Sequence, residues 1–274
     1  MPDVDLDRIR DVSAAATAAD GAEPLDEAMW LALRHDAPGV VVHEAEGGFA
    51  LLHDGELAVA VAPDRRGTGV GGRLVAETLS GLEGPVRAWS HGGHPAAAAL
   101  AARHGFARVR DLWVMRRPTD LPLPTRRDLP GVTIRTYRDE DAGDIVRVNA
   151  AAFAHHPEQG SMDAANLATR MAEPWFDAAG LLVATDGDQV LGFHWTKRHS
   201  PTLGEVYVVG IDPSAQGRGL GKALTLAGLE HLAAAGVESV LLYVESDNAP
   251  ALAVYSGLGF THADSDTHVM YARR

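Results

Sequence analysis

Two short glycine-rich segments have the residue types and spacing of a phosphate-binding loop. Residues 216–222 read Gln-Gly-Arg-Gly-Leu-Gly-Lys and follow the strand-like run Glu205–Ile211, and Arg66-Gly-Thr-Gly-Val-Gly71 follows Leu57–Val61 about 150 residues earlier. Glycine lets a backbone approach a ligand closely, and the free amides at a helix start attract phosphate. Each segment is therefore predicted to hold a phosphorylated ligand between a strand and a helix.

The elements that follow the two loops recur in the same order. A run with helical apolar spacing comes first (Arg73–Leu79 and Ala223–Leu232), and a short strand-like run comes next (Val86–Trp89 and Val240–Val244). A helix that begins at proline and ends at Gly-Phe follows, and a strand that contains Val-Met closes each copy. One glycine-rich loop is a weak signal, whereas matched order through further elements indicates an internal duplication.

This order resembles the GCN5-related N-acetyltransferases, in which a loop of the type Gln/Arg-x-x-Gly-x-Gly holds the pyrophosphate of acetyl-CoA. The resemblance implies a mixed α/β (α+β) fold of two tandem domains, each with a central mixed sheet, flanking helices and splayed strands at the CoA site. We predict an N-terminal domain at residues 1–118, a linker at 119–130 and a catalytic domain at 131–274. The prolines of Arg117–Pro130 predict a stiff, extended connector.

The resemblance assigns a set of residues to acetyl-CoA, which pairs with the backbone of the splayed strand as a peptide strand would. Burial of these strands is compatible with that role, because the binding uses backbone groups. The expected residues of the C-terminal copy are Val209, Gly210, Ile211, Gln216, Gly217, Arg218, Gly219, Leu220, Gly221, Lys222, Asn248, Ala249, Pro250, Ala251, Leu252 and Ala253. Those of the N-terminal copy are Val59, Ala60, Val61, Arg66, Gly67, Thr68, Gly69, Val70, Gly71 and Gly72.

Tyr255 and Glu205 are the expected catalytic residues of the C-terminal copy. Aminolysis of a thioester needs an amine that has lost a proton and an acid for the departing thiolate. In the family, a tyrosine in the helix after the splayed strands supplies the acid, and the run from Asn248 to Phe260 matches that pattern at Tyr255. Glu205 is expected to take the amine proton, directly or through a water. The simpler interpretations are a structural tyrosine and an exposed glutamate at a strand start.

The N-terminal copy lacks both catalytic groups. Ala101 stands five residues before Phe106, where the other copy has Tyr255, and Glu56 is displaced by one residue relative to Glu205. A displacement of one residue turns a strand side chain to the opposite face. We therefore expect the N-terminal copy to bind acetyl-CoA without turning it over. Because the chain has no cysteine, an acyl-cysteine intermediate is excluded. Acyl transfer is then either direct, as we expect, or passes through another nucleophile.

The chain also resembles the mycothiol synthase family of actinobacteria, most densely in Phe153–Gly160, Gly192–Lys197 and Leu241–Asn248. That resemblance implies acetylation of the cysteinyl amine of a cysteine–glucosamine–inositol conjugate, desacetylmycothiol, in the last step of mycothiol biosynthesis. The positions that bind the acceptor in the family correspond to Glu27, Glu158, Lys197, Glu205 and Tyr243. Carboxylates and hydrogen-bonding side chains suit a cationic, polyhydroxylated acceptor. Simpler interpretations are a helix-start Glu158, a solvated Lys197 and a core Tyr243.

Composition and net charge limit the kinds of binding partner and cellular location that we expect. The net charge of −13 argues against nucleic acid. No apolar run reaches the roughly 20 residues of a membrane helix, and the acidic start does not resemble a secretory signal. We therefore expect a cytoplasmic, monomeric enzyme with a small-molecule substrate. The adjacent His155 and His156 do not predict a metal site, because their side chains point apart and a third ligand is not evident.

Two other functions stay open from the sequence. An acetyltransferase of protein N-termini or of an aminoglycoside-like amine would keep the same cofactor site and differ only in its acceptor. A non-catalytic acyl-CoA sensor would need the loops alone. Tyr255 and Glu205 argue against a sensor in the C-terminal copy, while the N-terminal copy fits that description.

Overall fold

The structure is a computed structural model that describes residues 4–154 and 159–274. Within these ranges the α-helices are α1 (Leu6–Asp20), α2 (Glu27–Arg34), α3 (Val70–Thr78), α4 (Pro95–Arg103), α5 (Ala142–Ala152), α6 (Ala164–Met171), α7 (Leu220–Ala234) and α8 (Ala249–Ser256). The strands in the same ranges are β1 (Val41–Ala45), β2 (Gly48–His53), β3 (Glu56–Val61), β4 (Val86–Ser90), β5 (Ala107–Pro118), β6 (Thr133–Thr136), β7 (Leu181–Asp186), β8 (Gln189–Arg198), β9 (Leu203–Ile211), β10 (Ser239–Glu245) and β11 (Thr261–Arg273).

The chain divides into two compact units. The first comprises Met1–Trp113 and Ala263–Arg274, and the second comprises Val114–His262. The limits between them fall inside β5 and β11, so each of these strands contributes residues to both units. They differ from the predicted domain boundaries, partly because the predicted linker is anchored within the second unit, where the Thr119 amide donates to the Glu238 carbonyl at 2.9 Å. That 1–118 and 131–274 fold as separate domains stays a prediction.

The first unit has a mixed sheet with helices on both faces. Strands β1, β2 and β3 form an antiparallel meander, β3 pairs in parallel with β4, and β4 pairs antiparallel with the end of β11. Successive side chains of β2 point to opposite faces of the sheet and pack in two different hydrophobic clusters. Phe49 and Leu51 pack with α1 and α2, whereas Ala50 and Leu52 pack with α3.

The second unit repeats this arrangement. Strands β6, β7, β8 and β9 are antiparallel neighbours in that order, and β9 pairs in parallel with β10. Phe193 and Trp195 of β8 pack with α5 and α6, while Leu191 packs with α7 on the other face. Asparagine or aspartate side chains cap several helices by accepting a backbone N–H, as such residues commonly do. These N-cap residues are Asp5 of α1, Asp26 of α2, Asp163 of α6 and Asn248 of α8.

The predicted fold class, with its repeated order of elements, is confirmed. A helix follows each loop (α3 and α7), a short strand comes next (β4 and β10), and a helix with proline in its first turn follows (α4 and α8). Gly105 follows α4 and Gly259 follows α8, with φ of 76° and 88°. A residue with a side chain would be strained at these φ values, and glycine is not. Among the helices of the described ranges, none is long and apolar enough to cross a membrane.

Candidate active site

The site of the second unit begins where β9 separates from β10. The two strands pair in parallel only from Leu203 with Ser239 to Val206 with Leu242. On its other edge β9 stays paired with β8 as far as Ile211. The second half of β9, which includes the predicted Val209–Ile211, therefore lies beyond the last rung that it shares with β10. This geometry is the predicted splay, and it leaves one edge of β9 for a ligand to pair with.

A bulge at Tyr207 reinforces the separation. Trp195 of β8 is opposite Val208 and Thr196 is opposite Val206, so Tyr207 is the extra residue of β9. A bulge bends its strand and increases the local twist. Here it places the Tyr207 ring against Trp195, with centroids 5.5 Å apart, on the face that packs with α5 and α6.

The loop after β9 is held by a buried carboxylate. Asp212 accepts hydrogen bonds from the backbone and the hydroxyl of Ser214, at 3.0 and 2.6 Å, and from Arg147 of α5 at 2.6 Å. These bonds, with the Ser214 hydroxyl first, lower the pKa of Asp212. Gly217 and Gly219 then adopt φ of 76° and 83°, and α7 begins directly afterwards. The exposed loop thus presents its backbone at a helix N-terminus, as phosphate binding requires.

Tyr255 lies near the end of α8. The Asn248 side chain caps this helix by accepting from the Ala251 amide at 3.2 Å, and the Phe260 amide closes its other end by donating to the Tyr255 carbonyl at 3.1 Å. The residue as a whole is half-buried, but desolvation of the phenol raises the pKa of Tyr255 to about 12. The phenol therefore stays protonated at neutral pH and is able to donate.

Glu205 is a buried carboxylate on the paired half of β9. It is only 5% exposed, which excludes the simpler interpretation of an exposed strand-start glutamate. Its Oε2 lies 2.6 Å from Nε2 of His199. Its register partners are Lys197 on β8 and Leu241 on β10. Side chains of directly opposite residues share a face of the sheet, so Lys197 and Glu205 are neighbours there.

The predicted acceptor residues of this unit share that face. The Lys197 ammonium lies over the rings of Trp175 and Tyr207, 4.4 and 5.1 Å from their centroids. Tyr243 is two residues after Leu241 and therefore on the same face of β10. It is 42% exposed and is not a core residue. The structure thus brings Lys197, Glu205 and Tyr243 to one face beside the splay.

The other two predicted acceptor residues are Glu158 and Glu27. Glu158 is outside the described residues, as are His155 and His156. Glu27 is the first residue of α2 in the first unit, directly after the N-cap Asp26. Its part in binding the acceptor stays a prediction.

The first unit contains a second splay with a cavity beside it. Strands β3 and β4 pair only at Glu56 with Arg87 and at Leu57 with Ala88, so the predicted Val59–Val61 lies beyond the last shared rung. The loop glycines Gly67 and Gly69 have φ of 74° and 86°, close to those of the second unit. A cavity of about 340 Å³ opens here, and its lining includes residues of β3, the loop, β4 and α4.

The groups in this first cavity differ from those of the second unit. Arg66 forms two hydrogen bonds of 2.7 Å with Asp20 at the end of α1, and its Nε donates to the Val61 carbonyl at 3.1 Å. The hydrogen bonds that Arg66 donates to the Asp20 carboxylate raise the pKa of Arg66, and its cation is therefore already paired. Ala101 is in the place of Tyr255, since the Phe106 amide donates to the Ala101 carbonyl at 2.8 Å. At this helix position the first unit therefore has an alanine, and the second unit has the phenol of Tyr255.

Several residues of these sites were missed by the sequence interpretation. Asp212 was detectable, because an aspartate followed by Pro-Ser directly after a strand is typical of a capped turn. His199 and Asp20 gave no such signal. His199 occupies a turn whose geometry decides where its ring points, and Asp20 is 46 residues from Arg66 along the chain. Among the residues that the structure describes, no group of three or more metal-ligating side chains is present.

Comparison with known proteins agrees with this architecture. A model of the acetyltransferase (GNAT) family matches residues 150–260. A protein of a Nocardioides species described as mycothiol acetyltransferase is 61% identical over 98% of this chain and 97% of its own length. One of Actinosynnema mirum with the same description is 50% identical over 94% and 92%. A solved tandem GNAT protein from the clavulanic acid biosynthesis pathway superposes with a TM-score of 0.72 at 20% identity, over 97% of this chain and 94% of that one.

Proposed function

The chain belongs to the mycothiol acetyltransferase family, and we propose that it transfers acetyl from acetyl-CoA to the cysteinyl amine of desacetylmycothiol in its second unit. The observation that supports acetyl transfer there is the end of the β9–β10 pairing at Val206 and Leu242, with the glycine-rich loop at the end of β9. The acceptor rests on the 61% identity to a mycothiol acetyltransferase over nearly the whole chain. The full-length relatives described above do not favour a peptide acceptor, an aminoglycoside acceptor or a sensor.

Acetyl-CoA is proposed to pair with the free edge of β9 at Val209–Ile211. Its pyrophosphate would then reach the backbone amides of Gln216–Lys222, where the positive end of the α7 dipole favours an anion. The left-handed Gly219 before α7 supports this, because a side chain there would strain the backbone. Asn248–Ala253, at the start of α8, follows β10 and is also proposed to contact the CoA.

In the proposed reaction the acceptor ammonium gives one proton to Glu205, directly or through a water, and the free amine attacks the thioester carbonyl. The nitrogen loses a second proton as the C–S bond breaks, and CoA leaves as the thiol. One proton is therefore released per turnover. Because the pKa of Tyr255 is about 12 and that of an ordinary thiol about 8.5, the phenol acts chiefly by donating a hydrogen bond to the sulfur as negative charge develops.

Lys197, Glu205 and Tyr243 are proposed to bind the acceptor, since they share one face beside the splay. A carboxylate at Glu205 suits the ammonium that it must deprotonate. The rings of Trp175 and Tyr207 hold the Lys197 ammonium by cation–π attraction on the face that Glu205 shares. Glu158 and Glu27 are carried over from the family resemblance alone.

The first unit is proposed to bind acetyl-CoA without turnover. The splay, the two left-handed glycines and the cavity beside them support binding. Ala101 in the place of Tyr255 supports the lack of turnover. The paired Arg66 offers less positive charge to a phosphate than an unpaired arginine would, so this site is expected to be the weaker one.

The product tests the proposed function. The protein is incubated with acetyl-CoA and desacetylmycothiol whose sulfur is methylated, so that acetyl cannot reach the amine by migration from sulfur. The acetylated product is treated with hydroxylamine, which cleaves esters and leaves amides intact. An amide product is expected. An ester on a sugar or inositol hydroxyl, or release of CoA without an acetylated acceptor, would contradict N-acetyl transfer.

A further inference from the structure

His199 is the hydrogen-bond partner that the structure shows for the buried carboxylate of Glu205. The two side chains are joined by an Nε2 to Oε2 distance of 2.6 Å, and they differ in exposure: Glu205 is 6% exposed at its side chain, whereas His199 is 35% exposed. The imidazole thus touches a buried base with one nitrogen and lies partly in solvent.

The turn between β8 and β9 fixes this contact. The His199 amide donates to the Leu203 carbonyl at 2.9 Å, and the Ser200 hydroxyl accepts from the Leu203 amide at 3.1 Å. Glu205 follows two residues later on β9. The ring is therefore presented to the carboxylate by a closed turn rather than by a free loop.

The register partners of Glu205 in the described part of the chain do not offer an equivalent route. Its partner on β10 is the apolar Leu241. Its partner on β8 is Lys197, whose ammonium lies over Trp175 and Tyr207. An ammonium is a donor without acceptor capacity, so it does not take a proton from a carboxylic acid. An imidazole accepts a proton at one nitrogen and releases one from the other.

We propose that His199 carries the proton from Glu205 to solvent and so returns the base to its charged form after each turnover. The inference rests on the proposed function, in which Glu205 takes one proton from the acceptor ammonium. His199 exchanges between its two neutral tautomers through solvent, and the tautomer with its hydrogen on Nδ1 leaves Nε2 able to accept the proton of the carboxylic acid formed in that step. The imidazolium then releases the Nδ1 proton to water, and the carboxylate is restored with Nε2–H donating to it. His199 is on this account a positioning and relay residue, not a catalytic residue that touches the substrate.

The test uses the full chain with His199→Gln. Glutamine keeps an N–H donor near the position of Nε2 but does not carry a proton. The first turnover begins with Glu205 already charged, so its single-turnover rate constant should match that of the wild type. The steady-state kcat should fall by about tenfold or more, because each later turnover waits for Glu205 to lose its proton. Added imidazole should raise the kcat of this variant and leave the wild type unchanged.

His231→Gln is the matched control. His231 also contacts a carboxylate, with Nε2 3.2 Å from Asp177, but it belongs to α7 on the other face of the sheet. Its kcat is expected to equal that of the wild type. The relay is refuted if His199→Gln keeps the wild-type kcat, or if its single-turnover rate and kcat fall together, which would indicate a structural role. Turnover of desacetylmycothiol by the wild-type protein is measured first. Lack of wild-type turnover would refute the proposed function, whereas the relay is judged only from the difference between the variants and the wild type.

Discussion

Ala101 and Tyr255 are equivalent residues of the two units: the carbonyl of each accepts the backbone hydrogen bond that ends its helix. The amide of Phe106 donates to the Ala101 carbonyl at 2.8 Å, and the amide of Phe260 donates to the Tyr255 carbonyl at 3.1 Å. The backbones match, so the copies differ at this point by the side chain, which is a phenol in one and a methyl group in the other. This difference is the basis for assigning turnover to the second unit.

Tyr255→Phe is expected to lower kcat by about 10²–10⁴-fold with little change in acetyl-CoA affinity, because it removes the hydroxyl and keeps the ring. Steady-state kinetics and calorimetric titration with acetyl-CoA measure the two effects. Tyr137→Phe is the control, since burial also raises the pKa of Tyr137, outside the proposed site. Near-native turnover by Tyr255→Phe, with chemistry rate-limiting, would show that another group assists the leaving thiolate.

Glu205→Gln is expected to lower kcat and to flatten the rise of rate with pH. The amide keeps the shape of the side chain but does not accept the ammonium proton, so only acceptor that is already deprotonated reacts. The acceptor KM should also rise, because the amide lacks the negative charge that attracts an ammonium. These effects are read from kcat and kcat/KM across pH. An unchanged pH profile with a lowered kcat would remove Glu205 as the base.

Bulky substitutions at Gly219 and Gly69 form a matched pair. Both residues cap a helix N-terminus, with φ of 83° and 86°, so the backbone strain of a side chain is similar. Gly219→Trp should abolish turnover by blocking the approach of the pyrophosphate, whereas Gly69→Trp should leave most of it. Initial rates and thermal unfolding of both variants are compared. Equal loss of turnover in two folded variants would contradict the proposed asymmetry.

Asp20→Asn is expected to tighten acetyl-CoA binding in the first unit, by up to about tenfold. The substitution removes a negative charge from the cavity and releases Arg66 for a phosphate. Calorimetric titration in the Gly219→Trp background isolates this site. Weaker binding would mean that the Asp20–Arg66 pair instead holds the loop in its binding geometry.

The sequence was most informative where chemistry and backbone geometry are local. The helix starts at Gly69 and Gly219 follow from short patterns, because a left-handed glycine before a helix has a recognisable context. The contacts of Glu205 with His199 and of Arg66 with Asp20 did not follow, since they depend on how a turn closes and where a distant helix ends. The rung at which β9 leaves β10 is likewise set by register and by the bulge at Tyr207, and apolar patterns specify neither.

The identity of the acceptor is tested by comparing amines as substrates for acetyl-CoA turnover by the wild-type protein. Desacetylmycothiol, a set of peptides with free N-termini and a set of aminoglycosides are assayed under one condition, and kcat/KM is measured for each. We expect desacetylmycothiol to exceed every other amine by roughly 10³-fold or more, because a site with buried polar groups rejects ligands that leave those groups unpaired. A peptide or aminoglycoside used with equal efficiency, or no turnover of any amine, would show that the protein is not an acetyltransferase of desacetylmycothiol.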